Sequence, residues 1–339
     1  MRNFFTLTLL FLFLDTAAVA WGFFAHKKIN RHAVFSLPPE MIGFFKSNIQ
    51  FITENAVNPD RRRYAVFGEA EKHYLDADVY GDSAIYKLPR YWNQAVEKFG
   101  EEELRKHGIG PWNAYNTKNQ LTEAFKRKDK KAILRLAADL GHYIGDINVP
   151  LHTTKNYNGQ LTNQYGIHAF WESRVPELLA DDFDLFVGQA EYLPNTQLAA
   201  WDAIIYAHLA LDSVLNFEKI LSTRFPDDKK YSFEERGGIN TRVYSKEFTK
   251  AYNDMLAGQV ERQMKRSIKM IADFWYSAWI DAGQPVLNDL MDMPVEDLEE
   301  KFPPPTTPLN IREHEGITLH ESPEDLRKSF YRAMWRTGN

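Results

Sequence analysis

The chain has no cysteine. Disulfides and thiol catalysis are therefore excluded, and any metal must be held by His, Asp, Glu, main-chain atoms or water. A Gly-x-Ser-x-Gly elbow is missing, which argues against an α/β-hydrolase. Neither a Gly-rich phosphate loop nor a dinucleotide fingerprint occurs. Positive charge is not in excess: 41 Lys and Arg stand against 46 Asp and Glu, a net charge of −5. That argues against a general basic surface for duplex nucleic acid, while leaving room for a local patch. Strand patterns are scarce and internal repeats absent. Past residue 20, no apolar run reads as long enough to span a membrane.

What is present is ordinary for a globular protein: 339 residues, 44% hydrophobic and 26% charged, enough for a sizeable core in one or two domains. The first twenty residues read as a secretory signal in preference to a buried N-terminal helix. Arg2 supplies the positive start, Phe4 to Leu14 the apolar run, and Ala18-Val19-Ala20 the small-x-small cleavage triplet, although Asp15 is unusual there. The expected location is secreted or periplasmic. Cleavage after Ala20 would make Trp21 the mature N-terminus. A free α-amine has a pKa of about 7.7–8.0, so it can lose its proton to a metal and chelate together with its own carbonyl oxygen.

Residues 21–284 are expected to form one mainly helical domain, so the fold class is all-α. Helices should break at Pro38-Pro39 and at the charged run Lys126 to Lys131, read as a solvated helix junction. Residues 153–167 are polar and rich in Gly and Asn, and read as a loop. A helix should start near Ile167 and be kinked or ended by Pro176. Gln197 to Leu221 and Ser245 to Ala282 read as long core helices. Residues 285–339, with Pro303-Pro304-Pro305, read as a C-terminal extension ordered only in part.

The densest chemistry lies in His142-Tyr-Ile-Gly-Asp146-Ile-Asn-Val-Pro-Leu-His152. His142 and Asp146 are four apart and share a helix face. Pro150 limits that helix, and His152 on the following loop can turn back to the same point. Such a cluster suits zinc. His168 and Glu172 repeat the four-residue spacing, which on its own would fit a surface hydrogen bond equally well. His26 and His73 also fall in ligand-like settings. His32, His107, His208, His314 and His320 read as surface or core residues without a carboxylate at metal-like spacing.

Taken in order, Trp21, His26, Asp60, His73, His142-x-x-x-Asp146-x-x-x-Pro150-x-His152 and His168-x-x-x-Glu172 resemble the superfamily of zinc-dependent phospholipases C and S-one/P-one nucleases, over about residues 21 to 280. The resemblance implies an all-α secreted hydrolase of phosphate esters with three zinc ions. One would be held by Asp60, His73, His142 and Asp146, and a second by His152, His168 and Glu172. The third would take the amine and carbonyl of Trp21, with His26 and the shared Asp146. Asp60 would orient or deprotonate the attacking water. Arg63, three residues on, matches a phosphate-contacting Arg of the nucleases, and surface solvation of the run Arg61-Arg62-Arg63 is the competing reading. Tyr74 and Asp76 match substrate-binding positions, an aromatic and a carboxylate, that both groups share. Glu172 and the short loop from His152 to His168 are more like the phospholipases, and Trp171 more like the nucleases. Val149 stands where both groups usually have Gln, which leaves the support of His152 open.

The expected substrate is single-stranded nucleic acid or nucleotides, mainly because of Arg63. The alternative is phospholipid, cleaved at its head group, and a different class is a zinc-stabilised binding protein without activity. No stable protein partner is implied.

Overall fold

A helix that is buried on nearly every face must be wrapped by others. That is the case for the helix containing His142, which organises the chain in this computed structural model. The structure describes residues 22–63, 65–236 and 238–291. The expected signal segment, Trp21 and most of the C-terminal extension lie outside the described residues.

The main elements are α1 (Phe23–Ala33), α2 (Asn58–Arg62), α3 (Gly110–Lys126), α4 (Lys130–Ile147), α5 (Thr196–Ser222) and α6 (Gln259–Asp281). The class is mainly helical, as expected. Helix α4 starts where the Asp129 side chain accepts from Ala132 N at 3.0 Å. From Ile133 on it is buried almost throughout. Helix α1 comes very close to it because two of the facing residues are glycines. A Cβ on Gly141 would lie 2.0 Å from Asn30 Oδ1, and one on Gly145 would lie 2.8 Å from Ile29 Cδ1 and 3.1 Å from the His26 ring. That close approach brings His26 to the level of Asp146.

The prolines act as expected. Leu37 is extended and Pro39 opens the helix Pro39–Ser47. The charged junction does separate α3 from α4, with Lys128 at φ 53°. Part of that run is anchored, however: Lys128 pairs with Asp289, and buried Lys130 donates to the Met291 carbonyl at 3.2 Å. Leu287 and Leu290 are buried there, so the chain stays packed past residue 285.

Three expectations change. The segment from Ser245 to Ala282 is two helices, Lys246–Met255 and α6, parted where Ala257 and Gly258 take positive φ. Helix α5 is, by length and composition, long and apolar enough to cross a membrane. It nonetheless carries Asp202, Asp212 and Glu218, and buries Trp201, Ile204, Ala207 and Val214 in the core. A hairpin unforeseen in the sequence pairs β1 (Tyr231–Arg236) with β2 (Ile239–Tyr244), Arg236 opposite Ile239. These are the strands among the described residues.

Candidate metal centre

Burying a carboxylate or imidazole costs free energy unless it is partnered. Helix α4 buries Asp139, His142, Tyr143 and Asp146 on adjoining faces, so the surrounding chain must supply partners. Asp60 comes from α2, His73 from the end of a short 3₁₀ turn, His26 from α1, and His152 from the turn Pro150–Thr153. All four residues are at most 6% exposed.

Around the first point, His73 Nδ1 lies 2.8 Å from Asp146 Oδ2, 3.1 Å from His142 Nε2 and 3.7 Å from Asp60 Oδ1. His142 Nε2 lies 3.2 Å from Asp146 Oδ2 and 3.6 Å from Asp60 Oδ1. Ligands about 2.0 Å from a tetrahedral ion stand about 3.3 Å from one another. Five edges of that tetrahedron are thus in place. Around the second point, His152 Nε2, His168 Nε2 and Glu172 Oε2 are 2.9–3.4 Å apart, three donors with a fourth position to spare. Asp146 faces several ways: its Oδ1 is 3.4 Å from His26 Nε2 and 3.7 Å from His152 Nδ1. His26 stacks on His142 with ring centres 3.8 Å apart and groups with His142 and Asp146. The Trp21 amine expected beside it lies outside the described residues.

The tautomers suit ligation. His142 Nδ1 donates to the Ala56 carbonyl at 2.8 Å, and His152 Nδ1 to the His73 carbonyl at 2.7 Å. In each neutral ring the Nε2 lone pair then faces the centre. The His73 carbonyl thus supplies the support for His152 that Val149 cannot. Asp60 Oδ2 is buried without a hydrogen-bond partner among the described residues. Charge points the same way. Burial pulls the His142 imidazole down, but Asp146 and Asp60 beside it more than reverse this and raise it to about 9. Burial would raise Asp146, yet His142 and His152 hold it well below the usual carboxylate range. Burial pushes Glu172 up to about 7, and pushes His26, His73 and His152 down. The donor set fits borderline divalent cations such as zinc.

Local backbone makes the second set. His168 lies in a short helix, Ile167–Ala169, that widens into a π-helical turn over Phe170–Arg174, where Glu172 sits. Pro176 has no N–H to give the Glu172 carbonyl, so the regular ladder cannot pass through that point. The hairpin holds the far end: Arg174 Nε donates to the Tyr244 carbonyl at 3.0 Å and Nη1 to Glu234 at 3.0 Å. The loop before His168 is fixed by its own amides, with Asn158 Oδ1 accepting from Gly166 N at 2.9 Å and Gln164 donating to Glu218 at 2.6 Å.

The arginine run divides three ways. Arg61 lies over the Phe23 ring at 5.3 Å. Arg62 is buried and grips Asp139 through both Nη atoms, at 3.1 and 2.9 Å. Arg63 is 1% exposed, its Nη1 3.7 Å from Asp60 Oδ1. Tyr74 and Asp76 are 6% and 8% exposed, and the Tyr74 ring packs so closely on Gly108 that a Cβ there would come within 2.5 Å of Cδ2. Sequence reasoning missed Glu69, Asp139 and Tyr143. Tyr143 donates to Glu69, and Glu69 Oε1 stands 4.0 Å from His73 Nε2. Burial would raise Glu69, but Arg62, His73 and Lys72 lower it to about 2. Of the histidines set aside, His107 does have a carboxylate four residues away, pairing with Glu103 at 3.1 Å on the surface. His208 Nδ1 meets Thr153 Oγ1 at 2.9 Å. His314 and His320 lie outside the described residues.

No family model and no curated protein matches the chain. Among solved structures, the Alpha Toxin from Clostridium Absonum is 13% identical, with a TM-score of 0.47, covering 78% of this chain and 65% of that one. The alpha-Toxin of a Clostridium perfringens avian strain is also 13% identical, with a TM-score of 0.40, covering 76% of this chain and 63% of that one. The chain thus spans less than two thirds of the length of either toxin. A likeness at this level places no residue and assigns no activity.

Proposed function

We propose that the chain is a secreted, zinc-dependent phosphodiesterase. The observation that carries this is the set of five separations of 2.8–3.7 Å joining Asp60, His73, His142 and Asp146 about one point. The order of motifs resembling the zinc-dependent phospholipases C and S-one/P-one nucleases supports it. One ion would be held by those four residues and a second by His152, His168 and Glu172. A third would be held by His26 and Asp146 with the amine and carbonyl of Trp21, once the signal segment is removed. Zinc supplies, when bound, Lewis acidity toward phosphate oxygens and a water acidified to near neutrality.

The chain's own groups do the rest. Asp60 Oδ2, unpartnered among the described residues, accepts from the attacking water, fixes its direction and takes its proton. Arg63 sets a positive charge beside Asp60, able to offset the charge of a phosphate. Asp146 links the sets through both oxygens. The low exposure of all these groups keeps the site's dielectric low, which strengthens each interaction.

Within that chemistry the favoured substrate class is phospholipid, cleaved on the phosphate side that releases the head group. Glu172 in place of Asp and the short loop after His152 support it. The features that suggested nucleic acid, Arg63 and Trp171, are both turned inward at no more than 1% exposure. Single-stranded nucleic acid is the second reading, carried by the position of Arg63 next to Asp60. The test is a side-by-side assay of zinc-loaded chain beginning at Trp21 on phosphatidylcholine, single-stranded DNA and RNA. Head-group release should dominate. Dominant cleavage of DNA or RNA would move the assignment to the nucleases. No turnover of any of the three would overturn the enzyme reading and leave a zinc-stabilised binding protein.

A further inference from the structure

Away from the metal-binding clusters, a cavity of about 460 Å³ opens beside the first turns of α3. None of the clustered His, Asp and Glu ligands lines it. Its wall is aromatic. Tyr91 and Tyr115 are 45% and 37% exposed, Trp92 is half-buried, and Trp112 stands edge-on to Trp92 with ring centres 5.7 Å apart. Between the rings are amides: Asn93 and Asn116 are exposed, and Asn113 is shared with an adjoining cavity of about 380 Å³.

Two features narrow what this cavity would take. Asn113 Nδ2 and Trp112 Nε1 are buried donors without an acceptor among the described residues. A buried N–H left unmade is costly, and the Asn amide turns readily about its last torsion, so Asn113 can present Nδ2 to an acceptor in the cavity. The cations in the wall are already neutralised. Lys72 Nζ donates to Glu69 at 2.8 Å, and Arg105 to Glu101 at 2.7 Å and Glu71 at 3.3 Å. The cavity therefore offers ring faces and neutral hydrogen-bonding groups, with no spare positive charge for a phosphate or carboxylate.

We propose that this cavity is a binding site for a neutral saccharide. The C–H faces of a pyranose ring suit the Tyr91, Trp92 and Tyr115 rings, and its hydroxyls can both donate to and accept from the amides of Asn93, Asn113 and Asn116. The site is independent of phosphodiester hydrolysis and stands or falls apart from it.

The test is titration of the full chain with chitotriose, cellotriose and maltotriose, followed by calorimetry and tryptophan fluorescence, with adenosine monophosphate as the anionic control. At least one trisaccharide should bind and shift the emission. Tyr91→Ala/Tyr115→Ala should weaken that binding by about tenfold, the scale of losing an aromatic platform. Asn116→Ala, also at an exposed position, serves as the second variant should the first fail to fold, and should weaken binding severalfold. Absence of binding by all three sugars up to about 10 mM would overturn the proposal, as would binding insensitive to both variants. Adenosine monophosphate competing for the cavity in preference to the sugars would overturn it as well.

Discussion

Helix α4 carries two buried polar clusters on neighbouring faces, and they are built on opposite principles. On one face Asp139 and Tyr143 meet Arg62, Glu69 and Lys72, and acceptor meets donor throughout: Arg62 grips Asp139, Tyr143 donates to Glu69, and Lys72 reaches Glu69 at 2.8 Å. On the other face His142 and Asp146 meet His73, Asp60 and His26. There nitrogen faces nitrogen at 3.1 Å, as it does between His152 and His168 at 3.0 Å, and carboxylate oxygens converge on the same points. Both clusters are largely buried, with Lys72 at the partly exposed edge of the first. The first is complete with protein groups alone. The second brings acceptors face to face, an arrangement that a bound cation would balance. Tallying donors against acceptors separates a structural cluster from a ligand cluster where burial alone cannot.

The largest expected break in this contrast is Asp146→Asn. Removing the carboxylate that links the sets should cost zinc and lower kcat/KM on a simple phosphate diester by on the order of a thousandfold, about 4 kcal/mol. Metal analysis alongside kinetics checks it, and a variant with full zinc and full rate would remove Asp146 from the centre. Next is Arg62→Met. It leaves Asp139 and Glu69 buried without their guanidinium and should cost about 3–5 kcal/mol of stability, read by urea unfolding of zinc-loaded protein. Zinc stoichiometry should hold. If zinc were lost at once with the fold intact, the two clusters would be one. The smallest and sharpest is Glu69→Gln, which touches the boundary between them through His73. Zinc affinity should fall by about tenfold in chelator competition, with a loss of stability smaller than that of Arg62→Met because Asp139 still partners the guanidinium. An unaltered affinity would mean that Glu69 serves Arg62 only.

Much of this was legible in the chain because it is local. Four-residue spacing gave the pairs His142/Asp146 and His168/Glu172, and Pro150 gave the return of His152. The placement of Asp60 and His73 rested on resemblance, since their approach to α4 spans some seventy to ninety residues of chain and has no periodic signature. Arg62 was illegible for the same reason. A run of three arginines reads as solvated, and only the distant Asp139 makes one of them a core residue. Tyr143 and Asp139 were visible at helical spacing beside the ligands, but nothing local said that they pair with protein groups. The hairpin could have been found: Gly237-Gly238 between Phe233, Val243 and Tyr244 is a two-residue turn signal, masked by the charges of Glu234, Glu235 and Arg236. The split at Gly258 was hidden because apolar spacing runs on through both helices.

The widened turn at Phe170–Arg174 makes the second candidate set of ligands depend on the number of residues as well as on their kind. Shortening that turn by one residue would keep every ligand in the sequence, yet restoring a regular helix would swing Glu172 by about 100° around the axis, away from His152. Chain length in this turn is therefore an address. A substitution there can be tolerated or repaired by a similar side chain, whereas deletion of Phe170 or Trp171 would turn the Glu172 carboxylate away from His152 and His168.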